Sequence, residues 1–162
     1  MNQEERKRGP AVRFPPPLLF VGGLLVAWLL ETSVMRISFG NDAGFSRALR
    51  VAGAVLGALG FLVIISGIIT FARAGTAIIP IRPASAMVES GPYAYTRNPM
   101  YTGMTFVYIS AALLLDWLWP ILLLPIVLLV LFRLVISREE RYLAAEFGEE
   151  YEAYRRRVRR WI

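Results

Sequence analysis

The 162-residue sequence contains neither cysteine nor histidine. Without cysteine, disulfides and thiolate metal sites are excluded. Without histidine, the commonest metal ligand and the side chain that titrates most readily near neutral pH are missing. Lysine is nearly absent as well, because 17 of the 18 basic residues are arginine and Lys7 is the exception. Chemistry in this chain must therefore use carboxylates, tyrosines, hydroxyls, arginines, backbone groups or a cofactor, and no metal is predicted.

Charged residues are scarce, at 19%, and apolar residues make up 56%. Average soluble domains contain about 25% charged residues and roughly 45–50% apolar residues. The length allows one domain, and this composition excludes a disordered chain, a solvated coiled coil and an ordinary soluble globule. The net charge of +6 would suit nucleic acid, but the arginines flank apolar runs and no nucleic-acid motif accompanies them. No glycine-rich phosphate loop is present either, so neither nucleic acid nor a soluble-type nucleotide site is predicted.

Four apolar runs approach the length of about 20 residues that a membrane span needs. They cover residues 18–30, 52–71, 99–115 and 117–132. The first must extend past Glu31 or back into the prolines at 15–17, and its basic start also fits a signal peptide, although no small-residue cleavage site follows. The runs predict an all-α, polytopic membrane protein with about four transmembrane helices and a C-terminal helix at the cytoplasmic face.

The distribution of basic residues predicts the topology. With four spans both termini share one side, which carries fourteen basic residues in the N-terminal tail, the middle connection and the C-terminal region, against three on the other side. This asymmetry fits the positive-inside rule with cytoplasmic termini. We therefore expect a cytoplasmic tail over 1–17 and a single integral membrane domain over 18–162.

Small residues and turn residues predict local features of the helices. Four glycines in the second run share one helix face and favour close helix contact. The short link at 116–120 requires an antiparallel hairpin, with its two tryptophans at the bilayer interface. The glycines of that face are Gly53, Gly57, Gly60 and Gly67.

Helix ends are also predicted near the cytoplasmic face. Asn98 suits an N-cap and Pro99 the first helical position. A break is expected at Gly148, because glycine commonly follows a helix C-terminus. It should be followed by a short helix over 149–157 with an i,i+4 pair between Glu152 and Arg156.

Polar residues gather in two segments, 90–103 and 133–140, which the hairpin should bring together at the cytoplasmic face. The helix starting after Asn98 has unpaired N–H groups and a positive dipole end, which suit a carboxylate. Glu139 and Glu140 suit ribose hydroxyls or a cationic amine, and tyrosine faces suit a cation. S-Adenosylmethionine carries all these groups, although many ligands share them.

Structural explanations of the same residues stay open at this point. Arg97 and Arg138 are typical topology anchors. The tyrosines at 93, 95 and 101 are also typical of aromatic residues at the membrane interface. The two glutamates are also typical of a solvated helix face. The charged C-terminal region fits either a helix resting on the lipid surface or a lid over a polar site.

The segment GPYAYTRNPMYTG, followed by REERYLAAEFGEEYEAYRRRVRRW, resembles the isoprenylcysteine carboxyl methyltransferase family and the related phospholipid N-methyltransferases. The resemblance covers roughly residues 75–162, the expected cofactor-binding half. It implies an integral membrane enzyme that uses S-adenosylmethionine without a Rossmann fold. It places cofactor contacts at Ser85, Ala86, Met87, Val88, Tyr93, Asn98, Pro99, Met100, Tyr101 and Glu139.

Other features of the resemblance bear on the acceptor. Arg133 lies near a substrate-contacting arginine of the family, although the register differs by a couple of residues. The prenylcysteine enzymes usually have histidine where this chain has Asn98, and the cytoplasmic loops here are short. Both departures leave the acceptor less defined than the cofactor.

The expected function is methyl transfer to a membrane-embedded, lipid-like acceptor, with carboxyl O-methylation of a prenylcysteine-like substrate favoured. A carboxylate acceptor needs no general base, whereas an amine or thiol must lose a proton to Glu140 or a tyrosine. Arg133 and Glu140 are the candidate catalytic residues. The alternatives are a phospholipid amine N-methyltransferase, a reductase with a similar membrane region, and a non-enzymatic four-span protein. A transporter would be expected to have polar groups near mid-membrane, where these runs are apolar.

Overall fold

The computed structural model describes residue 12 and residues 15–40, 42–75 and 85–161. Of the expected cytoplasmic tail, residues 1–11, 13 and 14 lie outside the described residues. The described ranges are helical and contain no strand, apart from an isolated bridge between Thr96 and Arg159. The α-helices are α1 (Pro17–Ser33), α2 (Ala43–Arg73), α3 (Pro99–Leu115), α4 (Trp119–Leu131), α5 (Ser137–Phe147) and α6 (Glu149–Arg157), with a 3-10 helix at Gly91–Ala94 and a π-helical turn at Phe132–Ile136.

Two helices are long and apolar enough to cross a membrane. They are α2, with 31 residues, and the continuous helix Trp119–Phe147, with 29 residues. The other two apolar helices, α1 and α3, have 17 residues each. At 1.5 Å per residue such a helix rises about 26 Å, close to the roughly 30 Å of a hydrocarbon core. All four apolar runs are thus helical, apart from residues 117 and 118 at the start of the fourth, and the count of four spans stays a prediction.

Local sequence signals account for most helix boundaries. α3 and α6 begin and end at the predicted residues, and Gly148 separates α5 from α6 with a φ of 53°, a conformation suited to glycine. α2 begins well before its apolar run because Asp42 caps it, accepting a hydrogen bond from the backbone N–H of Phe45 at 2.8 Å. α1 extends the run at 18–30 in both directions, with Pro17 at its start.

One predicted side-chain pair on α6 differs. Glu152 forms its ion pair with Arg155, at i,i+3 and 3.2 Å, instead of with Arg156. Both spacings bring side chains together on a helix surface. The pair is half-exposed, so this change has little effect on stability.

Close contact between α2 and α3 depends on the glycine face, as predicted. The four glycines are buried. A Cβ on Gly60 would lie 2.7 Å from the backbone oxygen of Gly103. The Ser110 hydroxyl donates to the backbone oxygen of Gly53 at 2.7 Å, which adds a hydrogen bond where small residues let backbones approach.

The end of the bundle opposite the polar segments is closed by the α1–α2 connection. The indole N–H of Trp119 donates to the backbone oxygen of Met35 at 2.8 Å. Asp116, which turns the chain between α3 and α4 with a φ of 56°, accepts from the backbone N–H of Phe39 at 3.1 Å. These bonds fix the α3–α4 hairpin that the short link predicted.

The hydrophobic core lies between α1, α3 and α4 and continues into the π-helical turn. Phe20 of α1 meets the Tyr108 ring edge-on, with centroids 6.0 Å apart. Leu131 and Ile136 are fully buried in the same cluster, and Tyr101 belongs to it. The core therefore lies directly beneath the polar groups around Tyr101.

Candidate active site

Tyr101 and Glu139 join the two polar segments. The Tyr101 hydroxyl donates to Oε1 of Glu139 at 2.7 Å, across 38 residues of sequence. Tyr101 stands in the first turn of α3 and Glu139 in the first turn of α5. The hairpin returns the chain to the same face, and α5 continues from α4 through the π-helical turn, so the segments meet as the topology predicted.

Tyr93 is buried beside this pair, in the 3-10 helix before α3. Its ring packs against Phe71 at the end of α2, with centroids 5.1 Å apart. Its backbone oxygen accepts a hydrogen bond from the Tyr154 hydroxyl at 2.8 Å. Burial, followed by the negative charge of Glu139, raises the pKa of the Tyr93 hydroxyl. Tyr93 is therefore a neutral phenol at physiological pH.

Residues 85–88 precede this 3-10 helix. Ser85 is exposed and its hydroxyl donates to the backbone oxygen of Gly75 at 3.3 Å. Ala86 and Met87 are half-buried, and Val88 is buried. Glu89, next in the chain, pairs with Arg157 of α6. This segment therefore connects the end of α2 to the C-terminal helix.

Glu140 is held between two guanidinium groups. Arg160 donates from Nε to Oε1 at 2.9 Å and from Nη2 to Oε2 at 2.8 Å. Arg97 adds a contact from Nη1 to Oε1 at 3.2 Å. Paired, charge-assisted bonds of this kind are among the stronger polar contacts in proteins. They fix the orientation of the Glu140 carboxylate.

Residues 158–161, here called the C-terminal strap, lie against the start of α3. The backbone N–H of Arg97 donates to the oxygen of Arg159 at 2.9 Å. The Thr96 hydroxyl and Nδ2 of Asn98 both donate to the oxygen of Arg160, each at 3.0 Å. Asn98 occupies the predicted N-cap position, but its side-chain oxygen accepts no hydrogen bond from the first turn of α3, and its Nδ2 is oriented to the strap carbonyl instead.

The strap also contacts Phe132 and the hydrophobic core. The Arg160 guanidinium lies over the Phe132 ring, 5.0 Å from its centroid, and Trp161 packs against the hydrophobic core. Arg133, by contrast, is exposed on the π-helical turn. The structure therefore does not bring it into the buried cluster around Glu139 and Glu140.

Five residues of this cluster did not emerge from the sequence as site residues. The sequence contained one signal for two of them. Two tyrosines stand three residues apart in the otherwise charged helix α6, and both are buried in the structure. The strap contacts to backbone oxygens have no such signal. The five residues are Thr96, Arg97, Tyr151, Tyr154 and Arg160.

A comparison with known protein families matches the region around this cluster. The sequence pattern of phospholipid methyltransferases matches residues 49–150, well over half of the chain. The chain belongs to the phospholipid methyltransferase family. Membership indicates a methyltransferase, and the matched region contains the Tyr101–Glu139 pair, whereas the strap lies beyond it.

Individual relatives of this methyltransferase-family protein cover less of the chain. A protein-S-isoprenylcysteine O-methyltransferase of Schizosaccharomyces pombe is 39% identical over 72 residues, which are 44% of this chain and 30% of the yeast protein. The chain therefore spans about a third of that relative. An uncharacterised Haemophilus influenzae protein is 37% identical over 67 residues, which are 39% of this chain and all of that protein. No solved structure is significantly similar.

The cluster of this family member offers a methyl donor one carboxyl group and one guanidinium group. A part-buried carboxylate, Glu139, lies in the first turn of α5, and a buried guanidinium, Arg97, directly precedes the start of α3. Together they complement a ligand with both an ammonium and a carboxylate group. Among the described residues, no group of three acidic, histidine or cysteine side chains could hold a metal ion.

Proposed function

We propose that this protein transfers the methyl group of S-adenosylmethionine to a lipid-like acceptor in the membrane. The observation that carries the proposal is the Tyr101–Glu139 hydrogen bond, at 2.7 Å. It joins the two segments of the matched family region at one face of the bundle. The four apolar helices and the excess of arginine on one side support a multi-pass protein with cytoplasmic termini.

The donor brings an already electrophilic methyl group, so the chain has to bind, align and exclude water. Tyr101 fixes one oxygen of Glu139, and the carboxylate then accepts a hydrogen bond from a ribose hydroxyl or from the donor ammonium. Tyr93 provides an aromatic face. Residues 85–88 and 98–101 flank these groups, and we propose both segments as further donor contacts.

Carboxyl O-methylation of a prenylcysteine-like acceptor is the reaction that these groups favour. A carboxylate attacks the methyl carbon without losing a proton. A general base is therefore unnecessary, and the cluster offers poor ones: both oxygens of Glu140 are already bonded to arginines, and Tyr93 keeps its proton. The name of the yeast relative agrees with such an acceptor. Arg133, exposed at the cytoplasmic end of the bundle, is the proposed partner of the acceptor carboxylate.

Amine N-methylation of a phospholipid headgroup is the alternative, and the family match favours it. An ammonium group must lose a proton before it attacks. Glu140 would accept that proton in this reaction, although both of its oxygens are bonded to arginines.

Donor binding tests the proposed site. We expect Glu139→Gln in the purified protein, in detergent micelles, to weaken calorimetric binding of S-adenosylmethionine by roughly 10- to 100-fold, since hydrogen bonds to charged groups contribute about 1.5–3 kcal/mol. Tyr101→Phe should have a smaller effect in the same direction. Glu146→Gln is the matched control, because Glu146 is exposed on the same helix. Wild-type affinity in Glu139→Gln would remove the pair from the donor site.

The product identifies the acceptor. Protein supplied with methyl-labelled donor is incubated with a prenylcysteine carboxylate or with phosphatidylethanolamine vesicles. A methyl ester releases labelled methanol in base, whereas an N-methyl group keeps its label. We expect base-labile product from the first substrate. Label that appears in the phospholipid alone would establish the alternative reaction.

A further inference from the structure

Arg97 has a buried donor that the protein does not use. Its side chain is only 9% exposed. Nη1 contacts Oε1 of Glu140 at 3.2 Å and the Tyr151 hydroxyl at 3.3 Å. Nε is buried and has no hydrogen-bond partner among the described residues. A buried donor on a charged group is costly to leave unpaired, so this N–H indicates a place for an acceptor atom from a ligand.

The start of α3 points to the same kind of ligand. The first N–H groups of a helix have no partner inside it, and its N-terminus carries partial positive charge. Asn98 stands at the N-cap position but forms no side-chain cap, and its Nδ2 donates to the oxygen of Arg160. Met100 and Tyr101 in the first turn thus lack a cap from this side chain. The residue with the unused Nε directly precedes Asn98.

The local charges also favour an anion beside Arg97. Glu140 is the acidic partner of both Arg97 and Arg160, so this group of three keeps one positive charge. Glu139, bonded to Tyr101, offers carboxyl oxygens at the other segment of the site. A ligand that carries a carboxylate and an ammonium on one carbon complements both groups.

We propose that Arg97 binds the carboxylate of the methyl donor's amino-acid portion, with the first turn of α3 as the second set of donors. This inference rests on the proposed function and names the residue that selects the donor's carboxylate. Arg160 does not fill this role, since Nε and Nη2 are both bonded to Glu140. In this arrangement Glu139 is left to the donor ammonium.

The test compares two ligands that differ by the carboxylate. S-Adenosylhomocysteine and its decarboxylated analogue are titrated calorimetrically into the full-length protein in micelles. We expect the wild type to prefer the carboxylated ligand by roughly 10- to 100-fold, as for one charge-assisted contact. In Arg97→Gln most of this preference should be lost, through weaker binding of the carboxylated ligand, and the first turn of α3 should keep a remainder. Arg97→Lys should restore part of it, because an ammonium keeps the charge without the planar fork.

Arg160→Gln is the control for a merely structural effect, because Arg160 supports the same carboxylate, Glu140. It should weaken both ligands equally and keep their ratio. A wild-type ratio in Arg97→Gln, or an equal loss of the ratio in Arg160→Gln, would overturn the proposal and leave the proposed function intact. A wild type that binds neither ligand would overturn the proposed function itself. If Arg97→Gln does not fold, the ratio in Arg97→Lys decides, and an unchanged ratio there overturns the proposal.

Discussion

Replacing Gly60 by alanine tests how closely α2 and α3 pack. The added Cβ would lie 2.7 Å from the backbone oxygen of Gly103 and 3.0 Å from both Phe106 Cβ and Val107 Cγ2. The nearest obstacle is backbone, so a side-chain rotation does not relieve the clash and the helices have to separate. Overpacking of this kind costs about 1–3 kcal/mol, against a gain of up to about 1 kcal/mol from the better helix propensity of alanine. We expect a net loss of about 1–2 kcal/mol.

Unfolding of the purified protein in mixed micelles, by detergent titration or heating, measures this loss. Gly22→Ala on α1 is the matched control, because a Cβ there meets nothing within 4 Å. It should leave stability unchanged or slightly higher, for the same reason of propensity. If Gly60→Ala unfolds at the same point as Gly22→Ala, the close backbone contact between α2 and α3 is refuted.

Two further predictions concern the site. Gly67→Ala places a Cβ 2.8 Å from Cγ of Met100 and 3.6 Å from the Tyr93 hydroxyl. Because the flexible Met100 side chain can move, stability should change less than in Gly60→Ala. Methyl transfer should fall roughly 10- to 100-fold, because the site residues are misaligned. Unchanged turnover would contradict this. Asn98→Asp turns a donor to the Arg160 oxygen into an anion and should release the strap, so trypsin should cleave after Arg160 faster than in the wild type. An equal cleavage rate would show that this bond does not hold the strap.

Strong local signals in the sequence predicted several elements of the fold. Proline at the first position of α3 and glycine after α5 gave helix ends that agree with the structure, and the glycine face predicted which side of α2 meets α3. The meeting of Tyr101 with Glu139 followed from topology, because a short hairpin leaves the chain little choice of direction. Each of these features depends on residues close in sequence or on a tightly restricted connection.

The strap was not predictable in the same way. Its bonds run from Thr96, Arg97 and Asn98 to backbone oxygens of residues 159 and 160. Every residue has a backbone oxygen, so the pattern of side chains carries no trace of such bonds. Asn98 illustrates the consequence, since its side chain suits a cap locally, but in the structure its Nδ2 donates to a distant carbonyl and no cap forms.

The packing beneath the Tyr101–Glu139 pair limits how the two substrates of the proposed reaction meet. Tyr108, Leu131, Val135 and Ile136 are almost completely buried there, and close-packed side chains of this kind obstruct a path through this part of the bundle. At the opposite end, the α1–α2 connection is bonded to the α3–α4 hairpin. Under the proposed function, the donor and the reacting group of the acceptor therefore reach the pair from the same membrane face. The apolar chain of the acceptor stays in the lipid beside the helices, so its extraction from the bilayer is unnecessary.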